Sequence, residues 1–323
     1  MRILITGGGG FIGQKLARAL AAQGKMRGQT ISELTLIDIA QPREVAADFP
    51  VTRLACNVAE AAAVNAVMSR PSDVVFHLAA VVSGAAEKDF DLGMQVNLFG
   101  TLNLFDAARR AGNCPVIVYA SSNAVHGGDG MPAVVHDNDL SNPQTSYGTQ
   151  KIIGEYLLTD YSRRGFLDGR GLRLPTVTVR PGAPNAAASS FMSSIFRDTL
   201  QGNAANCPVQ RDFEVWHTAP RTVVSNLLHA AEIDGAAFGT NRCINLSGRT
   251  DTIGQMIAAM TRATGPDAEA RITWNADPVI EKIVSSWATR VQTDKALRLG
   301  FSADRSFEDS IRWFVEDDIS LPA

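Results

Sequence analysis

RILITGGGGFIG, Arg2–Gly13, sets a short aliphatic run against four glycines and regains apolar character at Phe11 and Ile12. Arg2–Thr6 reads as a strand and Gly13–Gln23 as an amphipathic helix, so the glycines form the turn between them. Gly7, Gly10 and Gly13 keep a spacing of three. One such glycine makes the tight turn, one lets the backbone approach a pyrophosphate, and the last lets the helix pack on the strand. The helix start then offers unpaired N–H groups and a positive dipole end to an anion.

Further strands are expected at Glu33–Asp38, Thr52–Cys56, Val74–Leu78, Pro115–Ala120 and Thr176–Arg180, with helices at Ala59–Ser69, Asp89–Ala111 and Ser146–Arg164 between them. Several strands are Val/Ile/Leu-rich with little alternation, as strands covered on both faces should be. Strand and helix in alternation imply a parallel sheet with right-handed crossovers. The fold class is therefore α/β, a doubly wound parallel Rossmann sheet with a smaller C-terminal α/β substrate domain. Residues 1–180 form the dinucleotide domain, with a returning segment near 215–246, and residues 181–323 are mainly the substrate domain. After the loop Pro181–Ser190, a strand is expected at Arg242–Leu246 and helices at Thr252–Thr264 and Asp304–Val315.

The second strand ends in Asp38, whose carboxylate can accept both hydroxyls of an adenosine ribose and would repel a 2′-phosphate. Ile39, Ala40 and Gln41 offer no cation, so NAD is expected over NADP. Tyr147 and Lys151, in SYGTQK, stand four apart and share a helix face. A neighbouring ammonium favours the phenolate and lowers the phenol's pKa, the arrangement of a general base. Strand Pro115–Ala120 runs into Ser121 and Ser122, hydroxyls at the carboxyl end where ligands bind. One of them can hold a substrate oxygen while Tyr147 moves the proton.

The bulk numbers exclude other classes. A chain of 323 residues with 45% hydrophobic and 20% charged residues can build a substantial core. A net charge of −3 argues against a dominant nucleic-acid surface. Cys56, Cys114, Cys207 and Cys243 lie far apart, without zinc or CxxC spacing. Reduced thiols, in a cytoplasmic protein, are the expectation. No paired histidines suggest a metal. No apolar stretch approaches a membrane span, and Arg2–Thr6 is too short for a signal peptide.

TGGGGFIG, Asp38, HLAA (His77–Ala80), Asn97 in VNLFGT, SSNAVHG, YGTQK and VRPG (Val179–Gly182) together resemble the extended short-chain dehydrogenase/reductase family over nearly the whole chain. The resemblance implies Tyr147 as acid/base, Lys151 as its partner and a holder of the nicotinamide ribose, and Ser122 as the substrate-orienting hydroxyl. It implies cofactor contacts from Phe11, Ile12, Asn57, Val58, Leu78, Ala79, Ala80 and Pro181, with Asn97 holding that wall. Two departures stand out: His126 replaces the family's VYG aromatic, and Asn57 replaces an acid near adenine. The stretch Tyr161–Phe191 resembles the D-erythronate dehydrogenase branch, which oxidises the alcohol next to the carboxylate of a four-carbon sugar acid. That implies a small sugar-acid substrate, met by Ser83, Asn123, Asn185, Ser189 and Ser190. Arg197, Trp216, His217 and Arg221 follow in the substrate half, and Arg197 or Arg221 is expected to pair the carboxylate. The family's habit also implies a homodimer through Asp89–Ala111 and Ser146–Arg164. A nucleotide-sugar epimerase or dehydratase with tightly held NAD is the alternative.

Overall fold

Strand β1 (Arg2–Thr6) lies inside a parallel sheet, flanked by β2 (Glu33–Asp38) on one side and β4 (Val74–His77) on the other. The computed structural model describes residues 1–182 and 187–319. Beyond β2 lies β3 (Val51–Ala55). Beyond β4 lie β5 (Val116–Ser122), β6 (Asp168–Leu174) and, at the far edge, β9 (Cys243–Asn245). Among the described residues the order is thus β3-β2-β1-β4-β5-β6-β9, every pairing parallel. The order reverses between β1 and β4, and a crevice opens there at the strands' carboxyl ends.

Alternation along each strand feeds two cores. Ile3, Ile5, Leu34, Leu36 and Phe76 join Leu16 and Leu20 of helix α1 (Phe11–Gln23) and Val223 and Leu227 of α6 (Pro220–Glu232). Leu4, Ile37, Val75 and Ile117 face the other way, toward Val64 of α2 (Ala61–Met68), Leu104 and Phe105 of α3 (Gly100–Ala111) and Leu158 of α4 (Ser146–Arg163). Both faces are covered, which explains the near-continuous apolar strands. Before α3 the chain makes a wide π-helical turn at Met94–Phe99, so the expected helix Asp89–Ala111 is several pieces in one line.

A third core belongs to the later part of the chain. Phe191, Ile195 and Phe196 of α5 (Phe191–Leu200) meet Met256 and Ile257 of α7 (Ile253–Thr264) and Phe307, Ile311 and Phe314 of α8 (Phe307–Phe314). Thr252 caps α7 in a reciprocal box with Gln255, and Ser306 caps α8. A small sheet accompanies this core: β8 (Glu214–Thr218) pairs β7 (Thr176–Val177) in parallel and β10 (Arg249–Thr252) antiparallel.

Two expectations are corrected here. The strand expected at Thr176–Arg180 is not in the main sheet; Asp168–Leu174 takes that place and Thr176–Val177 pairs in the small sheet. The expected returning segment begins later than 215: Glu214–Thr218 also belongs to the small sheet, while α6 and β9 return to the main one. Among the described residues, no helix is long and apolar enough to cross a membrane, no acid/His/Cys group could hold a metal, and the four cysteines are free.

Candidate active site and cofactor cleft

The crevice beside β1 is a cleft of about 800 Å³ lined by Gly7, Gly10, Asp38, Asn57, Val58, Leu78, Ala79 and Ala80. Gly7 adopts φ 71°, and a side chain there would press on Ala79 N at 2.7 Å. The backbone of the loop and the wall at Ala79 therefore come together only because no Cβ intervenes. Gly10 caps α1 without a side chain, leaving the helix's first N–H groups open to an anion. Asp38 accepts from Gly9 N at 2.9 Å and Ile39 N at 2.7 Å, which fixes its carboxylate in the cleft. A carboxylate at the second strand's end and a bare helix N-terminus fit the ribose and pyrophosphate of a dinucleotide.

The wall is pinned from behind. Asn97 sits in the π-helical turn, fully buried, and accepts from Val81 N at 2.7 Å. Its Nδ2 donates to Val81 O at 3.0 Å and to Gln150 Oε1 at 2.8 Å. The side chain thus ties the cleft wall to α4.

Helix α4 carries Tyr147 and Lys151. Thr145 caps it, accepting from Gly148 N at 3.1 Å, so Tyr147 falls in the first turn and Lys151 in the next. A second cavity, about 210 Å³, gathers Tyr147, Ser122, Asn123, Ser83, Phe11, Ile12, Arg180, Ser189 and Trp287. The Ser122 hydroxyl lies in this cavity with the Tyr147 phenol and accepts from Ala124 N at 3.2 Å. Lys151 is buried, donates to Ala120 O at 2.8 Å, and lies 5.6 Å from the Tyr147 ring centroid.

Burial governs both titrating groups. It pushes Tyr147 up to about 12 against the nearby Ser122 hydroxyl and the Arg180 charge, and pushes Lys151 down to about 8 against the Glu155 charge. The sequence expects Lys151 to draw the phenol down; the groups that lower it here are Ser122 and Arg180. Lys151 gives one of its three N–H donors to Ala120 O.

The expected substrate residues divide. Ser83, Ser122, Asn123 and Ser189 line the cavity. Arg197 is ion-paired with Asp198 at 2.7 Å, and Arg221 pairs with Asp317 and Glu316 in a separate groove beside Lys15 and Arg18. His217 pairs with Asp251 at 2.9 Å, and Trp216 is buried in β8. Gly13, Pro181 and Ser190 line neither cavity. Asn185 lies outside the described residues.

Arg180 was missed, although it sits in the quoted VRPG. Its guanidinium lies within hydrogen-bonding reach of the Ser193 and Ser189 hydroxyls, both at 3.4 Å, and burial together with the Arg197 charge pushes it down to about 10. Among the described residues no carboxylate lies within ion-pair distance of it. A half-buried cation beside a phenol, with only hydroxyl partners among the described residues, is a ready anion site.

The family model described as "NAD dependent epimerase/dehydratase family" matches residues 3–262. The chain is 46% identical to a D-erythronate dehydrogenase of Cupriavidus necator, over 98% of both chains. It is 39% identical to a D-erythronate dehydrogenase of Haemophilus influenzae, over 99% of this chain and all of that one. Among solved structures it is similar to one described as a nucleoside-diphosphate-sugar epimerase from Agrobacterium tumefaciens, with TM-score 0.93 and 42% identity, covering 99% of this chain and 94% of the other.

Proposed function

Since the chain belongs to the NAD dependent epimerase/dehydratase family, we propose that it is an NAD-dependent dehydrogenase of short sugar acids. It oxidises the secondary alcohol next to the carboxylate, with D-erythronate as substrate and the corresponding 2-oxo acid as product. The observation that carries this reading is Arg180, an arginine without a carboxylate partner among the described residues, in one small cavity with Ser122 and Tyr147. The two relatives named D-erythronate dehydrogenase support it.

In this mechanism Arg180 takes the substrate carboxylate, which sets the adjacent carbon's hydroxyl beside Ser122 and Tyr147. Ser122 orients that hydroxyl. Tyr147, as phenolate, removes its proton. Lys151 stays charged at neutral pH and holds the nicotinamide ribose. Gly7, Gly10, Asp38, Asn57 and the Leu78–Ala80 wall hold the adenosine half. NAD, bound in the cleft, supplies the hydride acceptor. The released products are the 2-oxo acid, NADH and a proton.

A screen for NADH formation across short aldonic acids, with UDP-sugars as the contrast set, tests the reading. NADH formation with D-erythronate is expected. No NADH with any acid, together with UDP-sugar conversion at constant NAD, would establish the epimerase reading that the Agrobacterium structure's description raises. A homodimer through the two helical runs belongs to the same proposal, supported by the exposed Phe90, Phe99 and Tyr156 on them.

A further inference from the structure

His77, the first residue of the HLAA run, has no place in the chemistry above, yet it lies fully buried at the end of β4 between the glycine loop and the cleft wall. Its Nδ1 is 2.6 Å from Thr6 Oγ1 and its Nε2 is 2.9 Å from Thr101 Oγ1. Thr101 Oγ1 in turn lies 2.6 Å from Asn97 O, and Ala79 N donates to Thr6 Oγ1 at 3.2 Å.

Hydrogen counting orients this chain. A carbonyl oxygen only accepts, so the Thr101 proton goes to Asn97 O. Thr101 Oγ1 must then accept from His77, which puts the imidazole proton on Nε2. Nδ1 is left as a lone pair, and the Thr6 proton points to it. Thr6 Oγ1 accepts from Ala79 N–H, and every member is satisfied. The opposite tautomer would set the Nε2 lone pair against a Thr101 lone pair and leave the Thr6 proton without an acceptor. The nearby Tyr119 phenol donates to Lys151 O at 3.4 Å and so gives no proton to this chain.

We propose that His77 is a positioning residue for the cofactor, held as its Nε2–H tautomer, which fixes the head of the glycine loop to the wall of the cleft. At one end, Thr6 carries the backbone into Gly7 and receives the Ala79 amide. At the other, Thr101 anchors the backbone of Asn97, whose side chain holds Val81 on both its N–H and C=O. The chain therefore sets the distance between the two sides of the cleft. Doubly protonated imidazole would break the order at Nδ1. Burial first, and the Lys151 charge second, push His77 down to about 3, so the second proton stays off. Its other neighbours, the stacked Tyr119 ring at 5.7 Å and the Phe105 edge at 6.3 Å, bring no counter-charge.

The inference rests on the NAD reading of the cleft, and its test separates the two. Nitrogen NMR of the histidine-labelled protein, with the His77 signals assigned by their loss in His77→Phe, should show one proton-bearing nitrogen, Nε2, and one lone-pair nitrogen, Nδ1. Neither should titrate from about pH 5 to about pH 8. An Nδ1–H tautomer, or titration in that window, overturns the proposal without any variant having to fold. Calorimetry with NAD alone supplies the second readout. His77→Phe keeps a flat ring but breaks both bonds, and should weaken NAD binding about tenfold, with kcat at saturating NAD changed less than KM for NAD. His77→Gln, whose amide can accept from Thr6 and donate to Thr101, should recover most of that loss. Equal NAD affinity in the parent and His77→Phe overturns the proposal alone; no NAD binding by the parent overturns the cofactor reading first.

Discussion

The Lys151 ammonium donates to the Ala120 carbonyl at 2.8 Å, two residues before Ser122 and one helical turn after Tyr147. The bond joins α4 to the end of β5, so the helix that carries the phenol and the strand that carries the serine hydroxyl are tied together by a buried cation. That cation is expensive to keep. Burial lowers Lys151 from 10.5 to about 8, so the fold binds its proton more weakly than the unfolded chain does. The penalty is full below pH 8 and fades as pH rises toward 10.5, because there the unfolded chain also gives up the proton. Lys151→Met should therefore abolish turnover yet raise the cofactor-free protein's stability at pH 7, on the order of 3 kcal/mol at most. Denaturant titrations at pH 7 and above pH 10 check this, and the gain must shrink at the higher pH.

Tyr147→Phe should lower turnover about 10²–10⁴-fold while NAD binding persists. Steady-state rates and calorimetry with NAD decide it; an unchanged rate removes Tyr147 from the mechanism. Because the phenol is pushed up to about 12, oxidation by the parent should quicken as pH rises above neutrality, the base being the ionised form.

Arg180→Gln should raise KM for the sugar acid by about 10–100-fold, as expected for the loss of a charge-assisted contact to a carboxylate. The amide of the same acid, lacking the negative charge, should bind parent and variant alike. Arg221→Gln, in its separate groove, should leave KM unchanged.

Asp38→Ser should weaken NAD about tenfold and admit NADP, since the carboxylate fixed in the cleft accepts ribose hydroxyls and repels a 2′-phosphate. KM values for the two cofactors read this out directly.

Glu155 and Arg173 are both buried and meet through Nε at 3.1 Å and Nη2 at 2.8 Å, with Ser121 donating to the same carboxylate. Glu155→Ala leaves the guanidinium buried and unpaired and should cost about 3–5 kcal/mol. Replacing both partners by apolar residues of similar volume should recover most of that, measured as the urea midpoint.

The parts of this molecule that were legible in its sequence are those fixed by local spacing. The glycine loop needs a strand before it and a helix after it, and Tyr147 and Lys151 need only one helix; each signal is complete within about fifteen residues. Strand Asp168–Leu174 was not legible because DGRGLRL carries charges and glycines where a buried strand should be apolar. Arg170 and Arg173 are buried there against Asp168 and Glu155. Gly169 lies so close to Leu158 that a side chain at that position would press on it at 2.6 Å, and Gly171 packs on Cys243 in the same way. Asp168 lies in the strand itself, but Glu155, Leu158 and Cys243 come from other elements, so no short window of sequence contains the reason for the strand. Arg180 escaped for a similar cause: that it has no carboxylate partner among the described residues is a property of the packed neighbourhood, whereas Arg197 stands next to Asp198 in the sequence itself and Arg221 meets Asp317 only in the fold.

The cavity draws its walls from two stretches of chain. Ser122 and Tyr147 come from the first half, while Arg180, Ser189 and Trp287 come from segments that pack with the later core. Inheritance can act on the two separately: drift in the later segments can retune which acid is accepted, while the redox machinery passes unchanged from one descendant to the next.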